Sequence, residues 1–275
     1  FRDAQIVFPD DVRRGSVVVE DGRIVDVDAG NLARVDETID CAGLHLMPGV
    51  IDDQVHFREP GLTHKEDLYS ASRACAAGGI TSFLEMPNTN PLTITAEAHA
   101  DKVTRATNRM FCDFAFYIGG TRDNAHQLAE LERVPGCSGV KVFMGSSTGS
   151  LLVEDNKGVE LVLSNISRRA AFHSEDEFRL IERMDERIPG DPKSHPVWRD
   201  PEAARLCTER LIAIARKTGA RIHILHISTA EEWPLLAANK DIASVEVTPH
   251  HLTLVAPDDY ERLGALVQMN PPVRD

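Results

Sequence analysis

The residues able to do chemistry recur at the ends of apolar runs. Asp52, Asp53, Gln54, His56 and Arg58 close one run, and Glu85, Met86, Pro87 and Asn88 close the next. Lys141 lies inside Gly139-Val140-Lys141-Val142-Phe143-Met144, and later runs end on His173-Ser174-Glu175, on His226 and on Pro249-His250-His251. One histidine on an apolar run is ordinarily a satisfied core side chain. Three at the same end of different strands form a set of nitrogen donors suited to zinc or a similar divalent ion. As an ammonium, Lys141 would repel such an ion. It reads either as a buried lysine paired to a carboxylate or, after reaction with CO2, as an anionic carbamate with two oxygens to offer.

For these side chains to converge, the runs must be strands of one sheet presenting their C-terminal ends to a common site. The pattern predicts strands near 50–57, 81–87, 112–118, 139–144, 169–174, 220–227 and 243–249. Helix-like segments lie between them, Lys65 to Ala77, Ala96 to Asn108 and Pro201 to Thr218 among them. Several strands start about 30 residues apart, the repeat of an α/β protein with a (β/α)8 TIM-type barrel, here with strands one to seven. A doubly wound open sheet alternates in the same way. No GxGxxG or GxxxxGK follows any strand, which weakens its nucleotide-binding version. The interval 176–219 holds an insertion punctuated by Pro189-Gly190-Asp191-Pro192 and Asp200-Pro201. Before Pro48, short β-branched runs separated by Pro9-Asp10-Asp11 and Glu20-Asp21-Gly22 predict a small antiparallel β unit. The expected domains are therefore 1–47, part of a small β-sandwich, and 48–275, an incomplete hydrolase barrel.

Seven stretches carry a resemblance. GVIDDQVHFREPGLTHKEDL, EMPNT, GVKVFMG, AFHSEDE, HILHIS, VTPHHL and MNPPVRD follow one another in the order of the motifs of dihydroorotases, cyclic amidohydrolases related to allantoinase and hydantoinase. The resemblance covers nearly the whole chain. It implies a metal-dependent hydrolase that reversibly opens the cyclic amide of dihydroorotate to N-carbamoyl-aspartate in pyrimidine biosynthesis. It further implies His56 as a metal ligand, Lys141 as a bridging carbamate, and His173 and His226 as ligands of a second metal. One or two Zn2+ ions per chain would be held. Arg58 and Asn88 would bind the substrate carboxylate, with Asn270 near the ring, in a homo-oligomer (dimer or tetramer). Another cyclic amidase, of allantoinase or hydantoinase type, is the nearest rival, and a non-catalytic scaffold subunit is a rival of another class. Arg58 with Asn88 favours a substrate bearing a carboxylate.

Two features depart from the family pattern. Gln54 stands where the opening motif D-x-H-x-H-x-R-x-P-G has its first histidine, and a glutamine amide is a poor zinc ligand. The family's catalytic aspartate follows strand eight and is expected beyond Asp275, so the natural polypeptide is expected to be longer.

Each assignment has a plainer competitor. Arg58 could pair with Glu59, Asn88 could cap the next helix, and Asn270 before Pro271-Pro272 could be a turn residue. His250 and His251, adjacent in a strand, would face opposite ways, so neither is assigned. His223 is expected to be structural, and His64, His99, His126 and His195 to be solvent-exposed. Gly145 to Ser150 resembles a phosphate cradle without its lysine. It reads as a loop closing over substrate or as an ordinary connector.

The net charge of −13 over 275 residues argues against a nucleic-acid surface, which needs clustered Lys and Arg. No apolar run approaches the ~18 residues of a membrane span. FRDAQIVFPDD carries charge too early for a signal peptide. Five scattered cysteines without a CxxC pair read as reduced thiols of a cytoplasmic protein.

Overall fold

The computed structural model describes residues 1–28, 34–145 and 151–275, in two compact units, Phe1–Val50 and Ile51–Asp275. The first holds β1 (Ala4–Val7), β2 (Val12–Gly15), β3 (Val17–Glu20), β4 (Arg23–Val27) and β5 (His45–Leu46). β3 and β4 form a hairpin across Asp21 and Gly22, both at positive φ as a tight primed turn requires. β1 pairs antiparallel with β2 but parallel with β5, so the unit is mixed, not wholly antiparallel as its sequence suggested. A two-residue strand has too little periodicity to be read in advance. The buried core here is small (Ala4, Ile6, Val17 and Cys41).

The second unit is built on β6 (Val50–Val55), β7 (Ile80–Glu85), β8 (Asp113–Gly119), β9 (Cys137–Phe143), β10 (Ala170–His173), β11 (Ile222–Ile224) and β12 (Ala243–Val245). They form one sheet in strict sequence order, with Lys141 in register with Ala171 and Phe172 with Ile224 in parallel pairing. A doubly wound sheet reverses its strand order at a switch point. This one never reverses, so it is the run of a partial (β/α)8 barrel. It also curls: Asp53 on β6 reaches His223 on β11, five strands away, at 3.3 Å.

Helices Leu68–Ala77, Ala96–Ala106, Asn156–Leu163 and Pro201–Thr218 run between strands. Each begins at a side-chain cap, Asp67, Thr95, Asp155 and Asp200 accepting from the backbone N–H three residues on. Val140, Val142, Phe172, Ile222 and Ile224 pack against Val159, Val162, Leu211 and Ile214 of the helices. On the opposite face Met86, Tyr117, Ala171 and Leu225 form a second buried cluster. Both faces of the sheet are thus covered, which is why its strands read as continuous apolar runs.

β11 and β12 are only three residues long, shorter than the predicted 220–227 and 243–249. Pro249-His250-His251 does not end a strand. It opens a short helix, Pro249–Thr253, with Thr248 as its cap and proline in its first turn. Asn156–Leu163 had not been anticipated. Residues 146–150 of the loop after β9 lie outside the described residues, but Gly145 has a clear role: a Cβ there would lie 2.4 Å from the Glu175 carbonyl oxygen. Among the described residues no helix is long and apolar enough to cross a membrane, and all five cysteines are free.

Candidate active site

The C-terminal ends of β9, β10 and β11 bring together Lys141, His173 and His226, all buried. His173 Nδ1 lies 3.1 Å from His226 Nε2, with the rings edge-on. His173 Nε2 lies 2.7 Å from Glu175 Oε2. A carboxylate accepts only, so Nε2 carries the proton, and Nδ1 presents a lone pair toward His226. Two nitrogens on one zinc at ~2.05 Å with tetrahedral angles stand ~3.3 Å apart, so this spacing suits ligands of a single ion. Glu175 is itself held by Arg199 and by Arg274 Nη2 at 2.7 Å, all three buried. That network escaped the sequence reading, although Glu175 follows His173 by two residues and would share its face in an extended chain.

Among the described residues Lys141 Nζ is buried without a hydrogen-bond partner, and it stands over the Phe143 ring, 4.3 Å from Nζ to the centroid. Burial drives its pKa well below the ordinary lysine value, only partly opposed by the charge of Glu246. The expected alternative of a paired buried lysine is realised elsewhere: Lys102 meets Glu85 in the interior and donates to Met86 O at 3.0 Å. His56, just beyond β6, lies 2.8 Å from Asn88 Oδ1 through Nδ1. Burial, then the charges of Arg58 and Lys141, lower its pKa to about 3. Burial lowers His173 to about 4 against the pull of Glu175, and lowers His226 well below the usual histidine range. All three imidazoles are neutral near pH 7, the form that binds metal.

Arg58 does not pair with Glu59. Glu59 accepts instead from Arg109 Nη1 at 2.7 Å and from the Leu68 backbone N–H at 3.1 Å. Among the described residues Arg58 has no ion pair, and it lines a cleft of about 640 Å3 with Asp52, His56, Phe57 and Lys65. Asn88 does not cap the next helix, whose cap is Thr95. Arg58 and His226 both sit at positive φ, 66° and 41°, which costs a non-glycine residue on the order of 1–3 kcal/mol and tends to occur at working sites. Gln54 Oε1 is buried without a hydrogen-bond partner, a poor fit for a purely structural side chain.

Asn270 contacts His195 of the insertion. The asparagine is exposed, and its Oδ1 lies 3.1 Å from His195 Nε2. His195 is buried, not exposed as expected, because the segment around Met269 packs on it, its Nε2 lying 2.9 Å from Met269 O. His99 is also buried, inside helix Ala96–Ala106, whereas His64 and His126 are exposed as anticipated. His251 touches Thr248 and Pro271 O, and His250 points to solvent. His223 is tied to carboxylates: its Nε2 lies 3.3 Å from Asp53 and 3.4 Å from Glu246. Burial opposes its charge, but those hydrogen bonds outweigh burial and raise it to about 9.

The chain matches no protein-family model. Among curated proteins it is 32% identical to a dihydroorotase of Methanosarcina mazei over 99% of its length, covering 62% of that protein. It is 33% identical to an allantoinase of Deinococcus radiodurans over its full length, covering 63% of that one. Among solved structures, an L-hydantoinase from Arthrobacter aurescens superposes with a TM-score of 0.89 at 24% identity, over the whole chain and 63% of the other. The chain thus spans less than two thirds of the length of these relatives.

Proposed function

We propose that this chain, which is similar along its length to dihydroorotases and allantoinases, carries most of a metal-dependent site that opens the ring of dihydroorotate. The observation that carries this reading is Lys141, buried beside two bonded imidazoles with no hydrogen-bond partner for its amine among the described residues. A cation held there would be costly. Burial favours the neutral amine, and the neutral amine is the form that reacts with CO2. The Nζ lone pair bonds to carbon, one N–H proton leaves to solvent, and a carbamate anion remains. With it, His173 and His226 would hold one Zn2+ ion, and His56 would contribute to another.

When bound, the metal supplies a water of lowered pKa and polarises the ring carbonyl. The chain's own residues do the rest of the work. Glu175 accepts the His173 Nε2 proton, which reserves Nδ1 as a donor, and Asn88 Oδ1 accepts from His56 Nδ1, which reserves Nε2. The Arg58 guanidinium is free to take an exocyclic carboxylate two-pronged, with the Asn88 amide N–H groups beside it. Such contacts hold the ring for attack. Protonation of the leaving nitrogen belongs, by the resemblance, to an aspartate after the eighth strand.

Allantoin or a hydantoin is the competing substrate, since relatives carry the name allantoinase as well as dihydroorotase. Neither presents a carboxylate to Arg58. The test is ring opening of all three compounds by the protein supplied with zinc and bicarbonate. Dihydroorotate should be turned over, with a loss of at least about 10³-fold in Lys141→Ala. Arg58→Met should raise KM for dihydroorotate roughly 10- to 100-fold. Turnover of allantoin alone would discard the substrate, and full activity in Lys141→Ala would discard the site.

A further inference from the structure

We infer that Asp53, His223 and Glu246 form a second divalent-cation site in the barrel interior, separate from the Lys141, His173 and His226 group. The three residues come from β6, β11 and the end of β12, and one donor atom from each lies within 4.8 Å of the other two. His223 Nε2 is 3.3 Å from Asp53 Oδ2 and 3.4 Å from Glu246 Oε2. Donors sharing one ion at ~2.0–2.2 Å with tetrahedral angles stand ~3.3–3.6 Å apart, so both separations suit a common metal.

The far side of the ring carries the orientation that a ligating imidazole needs. His223 Nδ1 lies 2.8 Å from Ser244 Oγ, and Ser244 Oγ accepts from Arg169 Nη1 at 2.7 Å. Without a metal, Nε2 carries a proton toward the two carboxylate oxygens; a metal ion would displace that proton, with Nδ1 still held at Ser244 Oγ. Three electron-rich atoms facing one another need a cation among them, either a proton on Nε2 or a metal ion. Two carboxylates and a neutral imidazole balance the charge of a dication. One nitrogen and two oxygen donors suit zinc or manganese. All three residues are half-buried, so an ion can enter and the remaining coordination positions can be filled by water. Glu246 uses its other oxygen, Oε1, to accept from the His226 backbone N–H at 3.2 Å, so an ion here would also stiffen the turn that presents His226.

The inference does not depend on the substrate, because none of its three donors serves the hydrolytic group. Zinc bound per chain is measured for the unmodified protein, Asp53→Asn and His173→Ala at equal free zinc. Asp53→Asn should lose one equivalent, or bind it at least about tenfold more weakly, while His173→Ala keeps that equivalent. Unchanged binding in a folded Asp53→Asn protein would overturn the site, as would loss of all zinc with His173→Ala. A readout that needs no substitution is the nitrogen NMR of the unmodified protein. The His223 ring signals should shift as zinc is added, and signals that stay still under saturating zinc mean that the three residues hold only a proton.

Discussion

At β9, β10 and β11 the chemistry-bearing side chains are closed in on every side, whereas at β6 they stand half open. Lys141, His173, Glu175 and His226 are buried, and Phe172 behind them is wholly inaccessible. On β6 and just beyond it, Asp52, Asp53, Gln54 and His56 are only partly covered, and Ile51 is 64% exposed. β9, β10 and β11 have sheet neighbours on both sides. Desolvation follows from that placement. Burial disfavours charge on the amine and both imidazoles there, and on His56 just beyond β6 as well, whereas Arg58 lines an open cleft. Under the proposed function, one strip supplies ligands and the other the cleft beside Arg58.

Core deletion sharpens this contrast most. Phe172→Ala should cost about 3–5 kcal/mol in denaturant unfolding, since a buried ring leaves a cavity that tight packing cannot collapse. Ile51→Ala on the open side should stay within about 0.5 kcal/mol. Equal losses would mean that the two strips are packed alike.

The next effect is a pH dependence behind the closed strip. Burial raises Glu232 to about 7, against the hydrogen bond from Thr208 Oγ1 at 2.6 Å, and Thr208 also bonds Ser174 beside the site. The folded protein therefore holds this proton more tightly than the unfolded chain does. Its contribution is fully present below the unfolded value near 4.5 and is lost as pH rises through about 7. Glu232→Gln should flatten that part of the stability–pH curve, a difference on the order of 3 kcal/mol between pH 4.5 and 8. Identical curves for the two proteins would place the carboxyl in a wetter setting than its burial indicates.

A smaller change acts on the open strip. Gln54→His replaces a buried amide oxygen that has no partner with an imidazole donor two residues before His56. Zinc affinity at the β6 side should rise about tenfold. An unaltered zinc isotherm would mean that residue 54 does not face the ion.

Much of the scaffold could be read in advance because it rests on local rules. The alternation of apolar strands and helices needs only the chain's own periodicity and turn chemistry, and so does the gathering of histidines at strand ends. Helix starts at Thr95 and Asp200 sit just before the stretches expected from Ala96 and Pro201, whereas the stretch expected from Lys65 begins only after its cap, Asp67. The same rules misjudged His250 and His251, where Thr248 and Pro249 start a helix in place of a continuing strand. They also missed the burial of His99 and His195, since which face of a helix or insertion is covered depends on what packs over it.

The sequence by itself determined which residue types stand at which strand ends, and so which donors were on offer: Lys141, His56, His173 and His226, with Arg58 and Asn88 beside them. Only the tertiary structure decided what each donor faces. Glu175 meets His173, Arg199 and Arg274 in one buried network, and Asp53 meets His223 and Glu246 across some 170 to 190 residues of chain. Periodicity cannot foresee such meetings, because they arise from the curl of the sheet. Tautomer, charge state and metal affinity follow from distances through space and from exclusion of water, and both exist only once the strands have closed around them.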